Sequence, residues 1–352
     1  MMNRQKIREL GVKIGALPTG EKNCITDVRS VLVGHSTIKE KLAGTDYACT
    51  GVTAILPHEG NIFQQKVIAN SYTINGFGKT TGLVQVEELG QLESPIMLTN
   101  TFSVPAVAEG TLHYLLRENS DIGDTTGTVN IVVGECNDSY LNSIRQLNVT
   151  KEHAIQAIRN ASQDRVEEGA VGGGTGMVCF GFKGGIGSSS RIVSSNEKCY
   201  TLGCLVQANF GKKEEFPYLR YGLKNLENNS TASKQPPGSI IIVIATDAPL
   251  DARQLKRIAK RASVGLSRVG SNIHNGSGDI VIAFSNAQTI PHNSSDVLET
   301  LTFLRDDSEC MNLLFQAAAE ATEEAILNAL TKATTTKGRN GRKVEQLPYN
   351  FK

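Results

Sequence analysis

The feature that most constrains this 352-residue chain is a run of six consecutive apolar residues, Ile240-Ile241-Ile242-Val243-Ile244-Ala245, entered through Gln235-Pro236-Pro237-Gly238-Ser239. Proline has no N–H to donate and glycine adopts positive φ freely, so Pro-Pro-Gly breaks regular structure. The β-branched run behind it, bounded by turn signals, predicts a strand buried on both faces, which needs a covering layer above and below. Ser239 stands at the mouth of that strand. The chain then turns back: Leu250-Asp251 opens a helix with Leu255, Ile258, Ala259 and Ala262 at i, i+3, i+4 and i+7. It returns through Asn275-Gly276-Ser277-Gly278-Asp279 to a second apolar strand, Ile280-Val281-Ile282-Ala283-Phe284.

Charge excludes some partners. The 36 basic and 35 acidic residues leave +1 and are interspersed, which is not the footprint of a nucleic-acid or membrane-surface binder. No apolar run is long enough to span a bilayer. The seven cysteines are scattered without a C-x-x-C pair and the N-terminus lacks an apolar signal region, so a reducing, cytoplasmic setting is expected. Nine glycines among residues 169–187 invite a phosphate-loop reading. Neither G-x-x-x-x-G-K-[ST] nor a strand-G-x-G-x-x-G-helix pattern occurs there, so neither cofactor nor metal is expected; the glycines serve close approach of backbone to a substrate or a neighbouring strand.

Elsewhere, residues 26–35 read as a turn feeding a short strand, residues 51–56 as another, and residues 39–46 as a polar turn. Residues 105–116 have helical spacing with Pro105 suited to the first turn. A buried strand over residues 130–133 runs into Gly134-Glu135-Cys136-Asn137-Asp138-Ser139-Tyr140, where the carboxylates are either part of a solvated turn or project into a cleft. A helix is expected over residues 151–168, and another over 311–332. Residues 201–208 form an apolar strand that ends at Asn209, and an amide at a strand end can donate to a developing oxyanion. Residues 212–237 are a polar linker.

Ser239 needs a base to be a nucleophile. None of the six histidines lies in a GxSxG elbow, His35 reads as structural, and His274 reads as a loop residue. Cutting the chain between Gly238 and Ser239 would supply the base, because the new α-amino group has an unperturbed pKa of roughly 7.7 to 8.0. Ser277 and Asp279 are two apart, so in extended backbone they share a face and the carboxylate can orient the hydroxyl.

Pro237-Gly238-Ser239 through Pro249-Leu250, Gln254 to Ala259 and Asn275 to Ser285 resemble the self-processing serine aminopeptidases, the family of D-aminopeptidase/D-amidase-esterases and β-peptidyl aminopeptidases. The likeness extends upstream through Ile25-Thr26-Asp27-Val28, Val33-Gly34-His35, Gly134 to Asp138, Gly172 to Met177, Gly181 to Gly187 and Val206 to Gly211. It implies an αββα sandwich, an α/β (α+β) fold like that of N-terminal-nucleophile hydrolases, in one domain cleaved into residues 1–238 and 239–352. It implies Ser239 as nucleophile, Asn209 as oxyanion donor, and Ser277 and Asp279 as neighbours of the nucleophile. Glu135 would hold the substrate's free ammonium group, with Tyr140 lining the same site and Lys183 as a cation at its edge. The expected reaction is hydrolysis of small peptides, amides or esters bearing a free amino end, in a tetramer of processed heterodimers. Acyl transfer of the ornithine acetyltransferase kind is the alternative enzyme, although that relative normally carries threonine at the nucleophile. A binding protein that keeps the fold without the chemistry is the non-enzymatic alternative.

Overall fold

A computed structural model describes residues 4–195, 197–223 and 238–348. Pro236 and Pro237, and residues 224–237 of the expected linker, lie outside the described residues. In chain order the elements are β1 (Leu32–Lys41), β2 (Tyr47–Leu56), β3 (Gln65–Gly76), α1 (Leu83–Leu89), β4 (Gln91–Leu92), β5 (Ile96–Asn100), α2 (Val104–Glu118), β6 (Val132–Cys136) and α3 (Lys151–Arg159). There follow β7 (Val178–Cys179), β8 (Phe182–Lys183), β9 (Gly185–Ser195), β10 (Lys198–Asn209), β11 (Ser239–Thr246), α4 (Ala252–Ala259), α5 (Ala262–Arg268), β12 (Gly278–Pro291), α6 (Glu309–Lys332), β13 (Thr336–Lys337) and β14 (Lys343–Val344).

Two sheets make the centre, ordered β1-β2-β5-β6 and β4-β3-β12-β11-β10-β9. Alternation along β11 assigns its faces. Ile241, Val243 and Ala245 pack with Leu98, Val132 and Cys136 of the four-stranded sheet, while Ile240, Ile242 and Ile244 pack with Leu255, Ile258, Leu314 and Ala325 of α4 and α6. On the far side, Val52, Ala54, Met97 and Val133 meet Val107, Ala154 and Ile158 of α2 and α3. The result is the expected αββα sandwich. All eight residues of β11 are buried, and fully burying one isoleucine contributes about 1.5–3 kcal/mol. This single strand therefore contributes an amount comparable to the net stability of a typical domain, about 5–15 kcal/mol.

Local chemistry explains the boundaries nearest the site. The Asp251 carboxylate accepts from Gln254 N–H at 2.6 Å while the Gln254 side chain accepts from Asp251 N–H at 3.0 Å, a reciprocal cap that starts α4. The expected single helix there is two, α4 and α5, broken at Lys260-Arg261. Its basic face is ion-paired, Arg253 and Arg257 to Asp306 and Lys256 to Glu87. Two further expectations need correction. The helix of residues 151–168 stops at Arg159, because Asn160 donates to the His35 carbonyl and Ser162 forms a two-way backbone bridge with Val33. The strand of residues 130–133 runs instead over Val132–Cys136, which puts Glu135 inside the strand, paired with Thr99 of β5.

Candidate active site

The site collects where the end of β10, the starts of β11 and β12 and the end of β6 meet. Asn209 and Ser239 are antiparallel register partners, and Ser239 pairs on its other side with Gly278 of the parallel β12. Gly278 N–H donates to Ser239 Oγ at 3.2 Å. A side chain at position 278 would intrude on the Phe77 carbonyl, 2.7 Å from an ideal Cβ, so only glycine lets β12 come this close. Gly238 is constrained likewise. A Cβ there would collide with Phe210 Cα and lie 2.5 Å from the Asn209 carbonyl oxygen.

Asn209 is held by both ends of its carboxamide. Val178 N–H donates to Oδ1 at 2.8 Å and Nδ2 donates to the Asn137 carbonyl at 3.0 Å, which fixes the orientation of the group and leaves Nδ2 a second hydrogen. Ser277 Oγ donates to Asp279 Oδ1 at 2.6 Å, as their i, i+2 spacing anticipates. Asp279 Oδ2 is buried without a partner, and burial pushes this carboxyl up to about 6 despite the Ser277 hydroxyl and the Ile240 N–H that favour its charge. Both residues border Ser239 through Gly278, the residue between them.

Glu135 is buried, and its two oxygens are separately engaged: Lys79 N–H donates to Oε1 at 2.7 Å and the Thr101 hydroxyl donates to Oε2. Each carboxylate oxygen retains capacity for a further donor. Gly78 joins this group to the nucleophile's strand, since an ideal Cβ on it would lie 3.5 Å from Glu135 Oε1 and 3.8 Å from Gly278 Cα. The solvated-turn reading of Glu135 therefore does not hold. Thr101, the Lys79 amide and the Val178 amide were not legible as site groups. The cap formed when Asn100 Oδ1 accepts from Phe102 and Ser103 N–H, together with Gly76-Phe77-Gly78, is the trace they leave in the sequence.

Two expected members have protein partners of their own. Tyr140 has its ring against Arg342, 4.8 Å from centroid to guanidinium, in a small cluster with Cys49 and Leu141. Lys183 is not at an edge. It is wholly buried, its Nζ donating to the carbonyls of Gly174, Met177 and Gly184, so the glycine-rich loop and not a substrate satisfies it. His274 is a loop residue, hydrogen-bonded to Glu215 at 2.7 Å. His35 is structural, bonded to Thr53, with burial pulling its imidazole down to about 4. Among the described residues no cluster of His, Cys, Asp and Glu could hold a metal ion, and no helix is long and apolar enough to cross a membrane.

Residues 23–344, carrying all of these groups, match the description of peptidase family S58. The chain belongs to that family. A β-peptidyl aminopeptidase of Sphingosinicella microcystinivorans is 41% identical over 98% of this chain and 90% of its own length. Among solved structures, a protein of Pyrococcus horikoshii OT3 superposes with a TM-score of 0.89 at 50% identity, covering 98% of this chain and 96% of the other. The L-aminopeptidase D-Ala-esterase/amidase of Ochrobactrum anthropi, described as a variant of the Ntn hydrolase fold, gives 0.88 at 34% identity and covers 97% and 95%. This member of the family is accordingly a serine peptidase with aminopeptidase/amidase activity and an α+β protein of the Ntn-hydrolase type.

Proposed function

We propose that this family member matures by cleaving its own Gly238–Ser239 bond and then uses Ser239 to release amino-terminal residues from small peptides, amides or esters. Ser239 Oγ attacks the carbonyl carbon while the new α-amine accepts its proton; the scissile bond breaks as the α-amine passes that proton to the leaving amine or alcohol, and water resolves the acyl-enzyme. The second hydrogen of Asn209 Nδ2 donates to the tetrahedral oxyanion. Ser277 and Asp279 fix the strand end that supplies Gly278 N–H to Oγ, and Glu135 takes the ammonium group of the substrate. The observation that carries this reading is the register Asn209↔Ser239↔Gly278, which brings amide, hydroxyl and a backbone donor side by side.

Gly238 packs against the Phe210 backbone and the Asn209 carbonyl, so the bond proposed to be cut is closely confined. The position of β11 between β10 and β12 supports one domain made of both pieces, because cleavage leaves the strand clamped on both sides. β-Peptides and D-alanyl amides, named for relatives, are the substrate classes to assay first. The seven free cysteines support a reducing, cytoplasmic setting, and a tetramer of processed heterodimers is the assembly the family resemblance implies. Incubating the purified protein with a panel of aminoacyl p-nitroanilides, α and β, D and L, tests the reading. Turnover that survives Ser239→Ala overturns it.

A further inference from the structure

We infer that Lys183 is a positioning and polarising residue for the oxyanion site: its buried ammonium group acts on Asn209 through a single peptide group, the one joining Met177 to Val178. This rests on Asn209 being the oxyanion donor.

The relay is short. Lys183 Nζ donates to Met177 O at 2.6 Å, and Val178 N–H donates to Asn209 Oδ1 at 2.8 Å. That carbonyl and that N–H are the two ends of one planar amide. Val178 and Lys183 are also register partners in the β7-β8 ribbon, so the cation cannot drift from the peptide it grips. A cation on the carbonyl end draws electron density from the amide and makes its N–H a stronger donor. A stronger donor at Asn209 Oδ1 polarises the carboxamide in turn and strengthens Nδ2–H as a donor, the cooperative behaviour of hydrogen-bond chains in a dry interior. Positive charge is thereby felt where negative charge develops, with no group moving during the reaction.

Geometry also sets the protonation state. Three carbonyls, Gly174 at 3.1 Å, Met177 at 2.6 Å and Gly184 at 2.9 Å, surround Nζ. Three acceptors require three hydrogens, which the ammonium form has and the neutral amine lacks. Burial opposes this and pulls the amine down to about 7. The titratable groups facing it are Cys49 of β2, Lys39 of β1, Cys179 of β7 and Asp138 after β6. Burial pushes the two thiols up to about 11 and about 12, so both stay neutral, and pushes the Asp138 carboxyl up to about 7, so that Asp138 favours the ammonium charge only when it is itself ionised. A tie between β7 and β8 alone would not need a buried charge, which is expensive to desolvate.

The test is a double-mutant cycle on matured enzyme with Lys183→Gln, which keeps donors but loses the charge, and Asn209→Ala. The relay predicts that Lys183→Gln lowers kcat by about 10- to 100-fold with KM little changed, less than the loss on removing an oxyanion donor outright. It also predicts that the double variant is no slower than Asn209→Ala alone. A slow Asn209→Ala combined with an unchanged or additive Lys183→Gln overturns the relay and leaves the oxyanion reading standing. A near-normal Asn209→Ala instead removes the oxyanion reading itself. Should Lys183→Gln fail to fold or mature, the wild-type pH profile decides. The relay requires kcat to fall on the alkaline side with an apparent pKa below the ordinary lysine value of about 10.4, and a flat kcat up to about pH 10 overturns it.

Discussion

Asn209 and Ser239 stand opposite one another across the β10-β11 pair, the last residue of one strand facing the first of the next. Opposed residues in an antiparallel pair project to the same face with Cβ atoms roughly 5 Å apart. A carboxamide and a hydroxyl so placed can act on one carbonyl group, the oxygen bound by the first and the carbon attacked by the second. If Asn209 has that role, Asn209→Ala is expected to lower kcat by about 10²- to 10³-fold, as loss of a single oxyanion donor does elsewhere, with the thermal transition little altered. Steady-state kinetics on the matured fraction is the check, and a near-normal kcat assigns the hole to other donors.

In the proposed mechanism the same pair also serves maturation. Full denaturation of the purified 37.9 kDa protein is expected to give two chains of about 26 and about 12 kDa, judged by length. N-terminal sequencing of the smaller one should read Ser-Ile-Ile-Ile-Val. Ser239→Ala should remain one inactive chain because both reactions lose their attacking oxygen. Gly238→Ala should be cleaved slowly, since its Cβ must displace the Phe210 backbone. An active enzyme that runs as a single uncleaved chain removes the mechanism.

Asp279 makes a stability prediction whose sign follows from its burial. Its carboxyl is pushed up to about 6 in the folded chain, against an ordinary aspartate value of about 4. Below about pH 4 it is protonated in both states and contributes no pH dependence. Between the two values the unfolded chain ionises while the folded one holds its proton, so stability falls as pH rises, by up to about 3 kcal/mol, and then levels off. Asp279→Asn removes that loss. Compared in a Ser239→Ala background, where every sample is one chain, the Asn variant should gain thermal stability over Asp279 at about pH 7.5 relative to about pH 4. A difference in Tm that does not change with pH contradicts the raised pKa.

What could be read from the sequence was what local rules determine. β11 and α6 were legible because an unbroken apolar run and a long amphipathic repeat admit few alternatives, and the Ser277 to Asp279 hydrogen bond followed from the period of a strand. Glu135 could not be placed by periodicity alone, since Gly134-Glu135-Cys136 is short and runs straight into the polar Asn137-Asp138-Ser139; the fold makes it a strand residue by pairing it with Thr99. The overlong reading of α3 failed for a tertiary reason, the bridge from Ser162 to Val33 more than a hundred residues away in sequence. Lys183 misled most. A lysine among glycines looks like a surface cation, and only the folding of residues 174–184 back on themselves turns three carbonyls toward its Nζ.

Recognition of a free amino end is the remaining prediction, and Glu135 carries it. Its carboxylate is buried with one backbone and one hydroxyl donor, Lys79 N–H and Thr101, and the donors within this cluster bring no full positive charge to it. An ammonium group arriving there would complete the site. An N-acetylated substrate brings a neutral amide and leaves a buried charge without its counterion, which is unfavourable. Acetylating the amine of a good substrate should therefore reduce kcat/KM far more than amidating its carboxyl end. Glu135→Gln should raise KM for free-amine substrates and narrow the gap between free and acetylated forms, while slowing self-cleavage much less, because the chain offers no ammonium group at that point. Comparing kcat/KM for one aminoacyl amide and its N-acetyl derivative, in wild type and Glu135→Gln, decides the matter. Equal values in the wild type would mean that Glu135 does not read the amine, and would leave the same nucleophile serving amides and esters without regard to their amino end.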